Sequence, residues 1–370
     1  MYAHGGIALI KKHVRLSVIA LVSCCGLAMA LTPQTAYAQK KKDRVARDFR
    51  AADTDDDGRL SKAEWQRRGN FERLDTNGDG VLSLQEVRAM YQGHDSRNYD
   101  WPPKGIKYPG TDIDPTIATD RVERDSLDKE TLCGIGRAPK CEVVHQKNRG
   151  LIATGTGPRF PEDAKCPGID DFWAMDYASK RNKETYHGGI DIPVPWGTPM
   201  RAVAAGSVVA KYEAHQSKRG TEVVVRHSPD QTGLPFWTYS AYGHLDAMPD
   251  LKIGQHLEMG DIIGPTGNSG ISAKGKQGSA QSTLRRPAIH LAMFYSKAST
   301  YSEANNTIIP VDGYWLDPMV FYRGKEPFRS QDVKALQESE KDIDIPIMFD
   351  DGTTMPADTT LIWPYTCRRD

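Results

Sequence analysis

The chain has 370 residues, of which 39% are hydrophobic and 26% charged, and its 48 basic residues balance its 48 acidic ones. Such a length accommodates two domains. The neutral charge balance leaves no global field to recruit nucleic acid or an anionic membrane, so the partner has to be read from individual sites.

Residues 1–38 read as a signal peptide. Lys11, Lys12 and Arg15 make a basic start, Leu16 to Leu31 is an apolar run, and Ala36-Tyr37-Ala38 before Gln39 is a small-x-small cleavage site. The run is shorter than the roughly 20 residues a spanning helix needs, and Pro33 ends it. Leu21-Val22-Ser23-Cys24 offers a lipoprotein reading, but the apolar run continues past Cys24. The expectation is an exported protein, either periplasmic or secreted to the cell envelope, with no transmembrane segment once the signal is removed. Of the six cysteines, Cys133, Cys141, Cys166 and Cys367 then remain. An even number in an oxidising compartment favours two disulfides. Connectivity does not follow from sequence, although Cys133 and Cys141 close a short loop and would leave Cys166 to tie down Cys367. A four-cysteine zinc site is disfavoured because no C-x-x-C spacing occurs.

Residues 39–92 contain a short repeat. DTDDDGRLSKAE at 53–64 and DTNGDGVLSLQE at 75–86 both fit the twelve-residue calcium loop. Asp53, Asp55 and Asp57 in one loop, and Asp75, Asn77 and Asp79 in the other, supply oxygens at positions 1, 3 and 5. Gly58 and Gly80 make the sharp turn, and the carbonyls of Arg59 and Val81 serve position 7. Ser61 and Ser83 act at position 9, and Glu64 and Glu86 close each site. Leu60 and Leu82 at position 8 are the apolar residues expected to pair across the loops. Clustered carboxylates without a cation would repel one another, so two Ca2+ ions are expected, in a structural or docking role. A short helix must connect the loops, weakened by Gly69. Residues 93–149 are rich in Pro and Gly, and read as a linker stapled near its end by a disulfide.

The chemistry begins at His187-Gly188-Gly189-Ile190-Asp191. Side chains four apart on an extended chain share a face, and the glycines allow the backbone to bend so that both reach one ion. Short β-branched segments follow at Met200 to Tyr212, Thr221 to Arg226, Phe236 to Tyr242 and Ile289 to Tyr295, divided by turn signals, a pattern of antiparallel β. Tyr242-Gly243-His244-Leu245 and Pro287-Ala288-Ile289-His290-Leu291 add two histidines. Two histidines, an aspartate and an open position for water are a hydrolytic zinc architecture. The helical H-E-x-x-H pattern is absent.

HGGID, the A-x-G-x-V segment within Val203 to Val208, YGHL, the G-x-x-G-x-S-G run at Gly264 to Gly270 and a histidine-bearing strand resemble, in that order, the lysostaphin-type, LytM-like peptidoglycan endopeptidases. The resemblance covers residues 150–322, ending near Leu316-Asp317-Pro318, within a domain expected over residues 150–325. It implies a mainly β fold, an antiparallel β-sheet metallopeptidase domain preceded by a small α-helical EF-hand pair. It implies one Zn2+ held by His187, Asp191 and His290, a catalytic His244 and the peptide stems of peptidoglycan as partner. The family's last motif is H-x-H, and Ala288 stands where its first histidine belongs. Two functions therefore stand side by side: a zinc endopeptidase of peptidoglycan cross-links, and a catalytically impaired peptidoglycan-binding or hydrolase-regulating module with a protein partner. An adhesin would explain the calcium loops but not the ordered histidines. Residues 326–370 form a C-terminal extension with an acidic helical stretch at Gln331 to Lys341, pinned back by Cys367.

Overall fold

The computed structural model describes residues 46, 49–65, 71–75, 77–87, 99–105, 108–137, 140–166, 177–180, 183–270 and 287–369. The signal-peptide reading and Gly69 lie outside these residues. Each calcium-type loop contributes a three-residue strand, β1 (Arg59–Ser61) and β2 (Val81–Ser83), paired antiparallel with Leu60 opposite Leu82. Both leucines are buried, and they form a small core with Phe49, Trp65, Phe71, Leu74 and Val87. A one-turn helix, α1 (Phe71–Leu74), leads into the second loop.

The segment read as a linker is more ordered than its composition suggested. It carries α2 (Thr116–Thr119), α3 (Lys129–Gly136) and α4 (Val143–Asn148). Ile117, Ile135 and Leu151 belong to the main hydrophobic core, so these turns are held by packing rather than by intrinsic propensity. Short strands β3 (Gly157–Arg159) and β4 (Ala164–Lys165) follow.

A seven-stranded antiparallel sheet forms the centre of the main domain. Its members are β5 (Ile190–Pro193), β7 (Gly206–Tyr212), β8 (Thr221–His227), β9 (Trp237–Leu245), β10 (His256–Leu257), β12 (Ala288–Ser296) and β15 (Tyr314–Leu316). The order is β10-β7-β8-β9-β12-β15, with β5 also pairing on β12. Every residue of β8 and β12 is buried. That is why the sequence shows continuous apolar runs here instead of alternation. Beside this sheet, β6 (Pro199–Arg201) pairs with β11 (Ile262–Pro265), and β13 (Tyr301–Ala304) with β14 (Thr307–Pro310).

The C-terminal extension is part of the same core. After α5 (Pro229–Thr232), α6 (Pro318–Arg323) and α7 (Ser330–Lys334), the strands β16 (Asp342–Asp344), β17 (Ile347–Phe349), β18 (Thr354–Met355) and β19 (Thr366–Arg369) complete the chain. The expected helical stretch is thus one short helix and a 3-10 turn at Glu338–Glu340 before the strands begin. β16 runs parallel to β3, and β19 antiparallel to β4. Trp363 and Tyr365 are fully buried. Disulfides join Cys133 to Cys141 and Cys166 to Cys367. No helix among the described residues is long and apolar enough to cross a membrane.

Candidate metal centre

The site is built at the meeting of β5, β9 and β12. Antiparallel register places Asp191 of β5 opposite His290 of β12, and His290 opposite Gly243 of β9, so that His244 follows one residue on. Three residues far apart in sequence are thereby brought together by two strand pairings.

The two glycines of HGGID have separate reasons to be there. Gly188 has φ +78°, and a Cβ on it would lie 2.6 Å from the Trp315 ring. Gly189 has φ +155°, and its Cβ would lie 2.7 Å from His290 Nε2 and 2.8 Å from the Leu291 carbonyl. The N–H groups of both donate to the Tyr177 carbonyl, at 2.9 and 3.2 Å. This tight passage delivers His187 to Asp191, with Nε2 3.1 Å from Oδ1. His290 Nδ1 lies 2.8 Å from the same carboxylate oxygen. One donor atom from each of His187, Asp191 and His290 falls within 4.8 Å of the other two, and all three side chains are buried.

His244 stands beside this trio, its Nε2 3.7 Å from Asp191 Oδ1. Its backbone sits in the left-handed region at φ +65°, a conformation that bulky residues keep only when their surroundings enforce it. The enforcement is visible. His244 N–H donates to the Arg219 carbonyl at 2.7 Å, and Gly267 N–H donates to the His244 carbonyl at 2.9 Å. Arg219 is itself fixed by the fully buried Glu222, whose other oxygen accepts from Ser217 Oγ at 2.6 Å. The His244 side chain is oriented too. A carbonyl can only accept, so the 2.8 Å contact with Ser269 O makes Nδ1 the protonated nitrogen and leaves Nε2, on the Asp191 side, as the acceptor in the neutral ring. Gly267 and Ser269 belong to the G-x-x-G-x-S-G run, whose role is to buttress His244. Ser269 Oγ accepts from Thr221 N–H and donates to the Leu245 carbonyl, both from within the sheet.

Two nitrogens and one carboxylate oxygen within 4.8 Å of one another form a donor set suited to zinc. The attraction of this spot for positive charge is already expressed, because the Lys180 ammonium contacts Asp191 Oδ2 and lies 3.3 Å from His187 Nε2. Sequence reasoning missed Lys180. A lone lysine seven residues before the motif carries no pattern. Ala288 is the first residue of β12, opposite Pro193, and two positions from His290 on the same face of the strand. A methyl group thus stands where an imidazole would have faced the site.

The calcium-type loops hold the predicted residues in order. Asp53, Asp55 and Asp57 bring their carboxylates within 4.8 Å of one another. In both loops the first aspartate accepts from the sixth-position glycine, Gly58 N–H to Asp53 at 2.9 Å and Gly80 N–H to Asp75 at 2.8 Å. Glu64 accepts from Ser61 N–H and Oγ, at 2.9 and 2.8 Å, and Glu86 accepts the same pair from Ser83, both at 2.8 Å. Each closing glutamate is thus folded back over its loop. Asp79 N–H donates to Asn77 Oδ1 at 2.9 Å, which turns the asparagine into the ring.

Residues 185–298 match the model of peptidase family M23, and residues 46–67 and 71–91 match the EF hand. Among solved structures, the catalytic domain of lysostaphin from Staphylococcus simulans is similar at 21% identity. The alignment covers 40% of this chain and 88% of that one, with a TM-score of 0.28. A mutant catalytic domain of the prophage-encoded M23 protein EnpA from Enterococcus faecalis is also similar at 21% identity, covering 41% and 96%, with a TM-score of 0.26. LytU gives 21% identity, 42% and 91% coverage and a TM-score of 0.27. No curated protein matches the chain. The chain therefore carries a peptidase family M23 domain at residues 185–298, behind a pair of EF hands.

Proposed function

We propose that this protein is an exported, zinc-dependent endopeptidase that hydrolyses peptide cross-links of bacterial peptidoglycan. The observation that carries the reading is the convergence of His187, Asp191 and His290 on one buried point, with the Nε2 of His244 turned toward it. His187, Asp191 and His290 would hold the zinc. When bound, that ion supplies Lewis acidity to a peptide carbonyl and acidifies water.

The remaining chemistry belongs to the chain. His244, with Nδ1–H committed to Ser269, offers Nε2 as the acceptor that orients the attacking water and takes its proton. Once protonated, the same nitrogen becomes a donor toward the oxyanion of the tetrahedral state. Burial excludes bulk water and strengthens both interactions. Ala288 contributes no proton acceptor, and loss of one general base costs about 10²–10⁴-fold in rate. Ala288 also favours the second reading, a peptidoglycan-binding or hydrolase-regulating module that keeps the metal but has lost turnover. The EF hands bind one calcium each and serve folding or docking.

Incubating purified sacculi with the zinc-loaded full chain, and identifying released muropeptides by mass spectrometry, separates the two. Wild type is expected to release fragments, His187→Ala and His244→Ala to release none, and Ala288→His to release them faster. A silent wild type beside an active Ala288→His decides for the regulatory module.

A further inference from the structure

Outside the family-matched segment, Arg137 reaches into the frame of the metal centre, as Lys180 and Trp315 also do. Arg137 follows α3 at the helix C-cap, with φ +47° and ψ +45°. It lies inside the eight-residue loop closed by Cys133–Cys141. Its guanidinium donates to three consecutive carbonyls, Nη1 to Thr185 and Tyr186 at 3.2 Å each, and Nη2 to His187 at 3.1 Å. The guanidinium carbon stands 5.1 Å from the centre of the Trp315 ring. Trp315 underlies Gly188 and donates Nε1–H to the Gly134 carbonyl of α3 at 2.9 Å. Helix, disulfide loop, arginine and tryptophan thus form one clamp around residues 185–188.

We propose that Arg137 is a positioning residue for the metal centre, which sets the direction of His187 by fixing the peptide planes on either side of it. The Tyr186 carbonyl belongs to the peptide that enters His187, and the His187 carbonyl to the one that leaves it. Holding both from one rigid group fixes the backbone torsions of His187 and, through them, where Nε2 points. A guanidinium can do this because its donors are splayed in a plane, whereas an ammonium is a point charge that satisfies one carbonyl well. The Cys133–Cys141 loop fastens the arginine to α3, so the disulfide acts on the centre through Arg137.

This inference rests on the metal-site reading above, and its test is arranged so that the two fail differently. Zinc affinity of the full chain is measured by competition with a chromophoric chelator, the visible spectrum of the cobalt-substituted protein is recorded, and Tm is taken on the metal-free form. Arg137→Ala is expected to weaken zinc about 10–100-fold, the range for groups that orient a ligand, and to alter the cobalt bands. Arg137→Lys is expected to fall between, and it carries the test should Arg137→Ala fail to fold. A Cys133→Ser/Cys141→Ser double variant should weaken zinc in the same direction. The control is Arg226→Ala. Arg226 is buried and pairs with Asp120 at 2.6 Å, so its loss lowers Tm but should leave zinc affinity unchanged. Wild-type affinity in Arg137→Ala and Arg137→Lys overturns the proposal, and so does an equal loss in Arg226→Ala, which would mark a general stability effect. A wild type that binds no zinc overturns the metal-site reading and this inference with it.

Discussion

Gly189→Ala isolates the physical demand that the HGGID motif places on its backbone. The new Cβ meets two kinds of neighbour, the His290 ring at 2.7 Å and the Leu291 carbonyl at 2.8 Å. The ring could swing away only by leaving Asp191. The carbonyl cannot move, because Leu291 is locked in β12 between Tyr242 of β9 and Ile190 of β5. Backbone strain at φ +155° contributes about 1–3 kcal/mol, and overpacking a full site adds about 1–3 kcal/mol, so a loss of about 2–6 kcal/mol is expected. Gly233→Ala calibrates the strain alone. It has φ +72° with nothing within 4 Å of the added Cβ, so the left-handed backbone should cost only about 1–2 kcal/mol. Urea unfolding of the metal-free full chain, followed by fluorescence of the buried Trp315 and Trp363, reads both values. Zinc binding, assayed in parallel, should be lost in Gly189→Ala and kept in Gly233→Ala. Equal destabilisation by the two substitutions, with zinc retained in both, would refute the close-approach argument.

His227 should give the protein an acid limb. Burial pulls its imidazole down from 6.5 to about 4, while Nδ1–H donates to the Ala205 carbonyl and Nε2 accepts from Ser240. The folded state therefore keeps His227 neutral where the unfolded chain takes up a proton, so stability is intact above pH 6.5 and falls as pH drops toward 4. The linkage amounts to about 3 kcal/mol, measured as the difference between wild type and His227→Gln in unfolding free energy across that window. A parallel pH dependence in both proteins would contradict it. The two disulfides should differ in worth, because they close loops of 8 and 201 residues. Chain entropy assigns about 2.5 kcal/mol to the first and about 5 kcal/mol to the second, so Cys166→Ser/Cys367→Ser should lower Tm more than Cys133→Ser/Cys141→Ser. The reverse order would show that loop closure does not govern their contribution. Calorimetric titration should find two calcium ions per chain, reduced to one by either Glu64→Gln or Glu86→Gln, and an unchanged count would remove those glutamates from the sites.

The parts of this molecule that could be read from its sequence are those governed by local spacing. Each EF loop is twelve residues with fixed chemistry at alternate positions, so Leu60 and Leu82 could be paired before any fold was known. The HGGID segment announced its own bend. The ordering of motifs indicated which distant residues belong together, and the strand pairings of β5, β12 and β9 bring them there. What could not be read depends on contacts between remote segments. Helices α2 to α4 are four to eight residues long, too short for a periodicity to emerge, and they are held by side chains such as Ile117 and Ile135 entering a core formed elsewhere. The pairing of β4 with β19 spans most of the chain, and its only trace in sequence was the spare cysteine at each end. Lys180 and Arg137 carry no motif, since one meets the site from a preceding loop and the other from a helix cap about 50 residues away.

Zinc content bears most directly on the central claim. Inductively coupled plasma mass spectrometry after equilibrium dialysis of the full chain should find one zinc per wild-type molecule. His244→Ala should also retain one, because the proposed function puts that residue beside the ion and not among its ligands, while His187→Ala, Asp191→Ala and His290→Ala should each retain none. Absence of zinc from wild type, or full occupancy in the three ligand variants, would contradict the account.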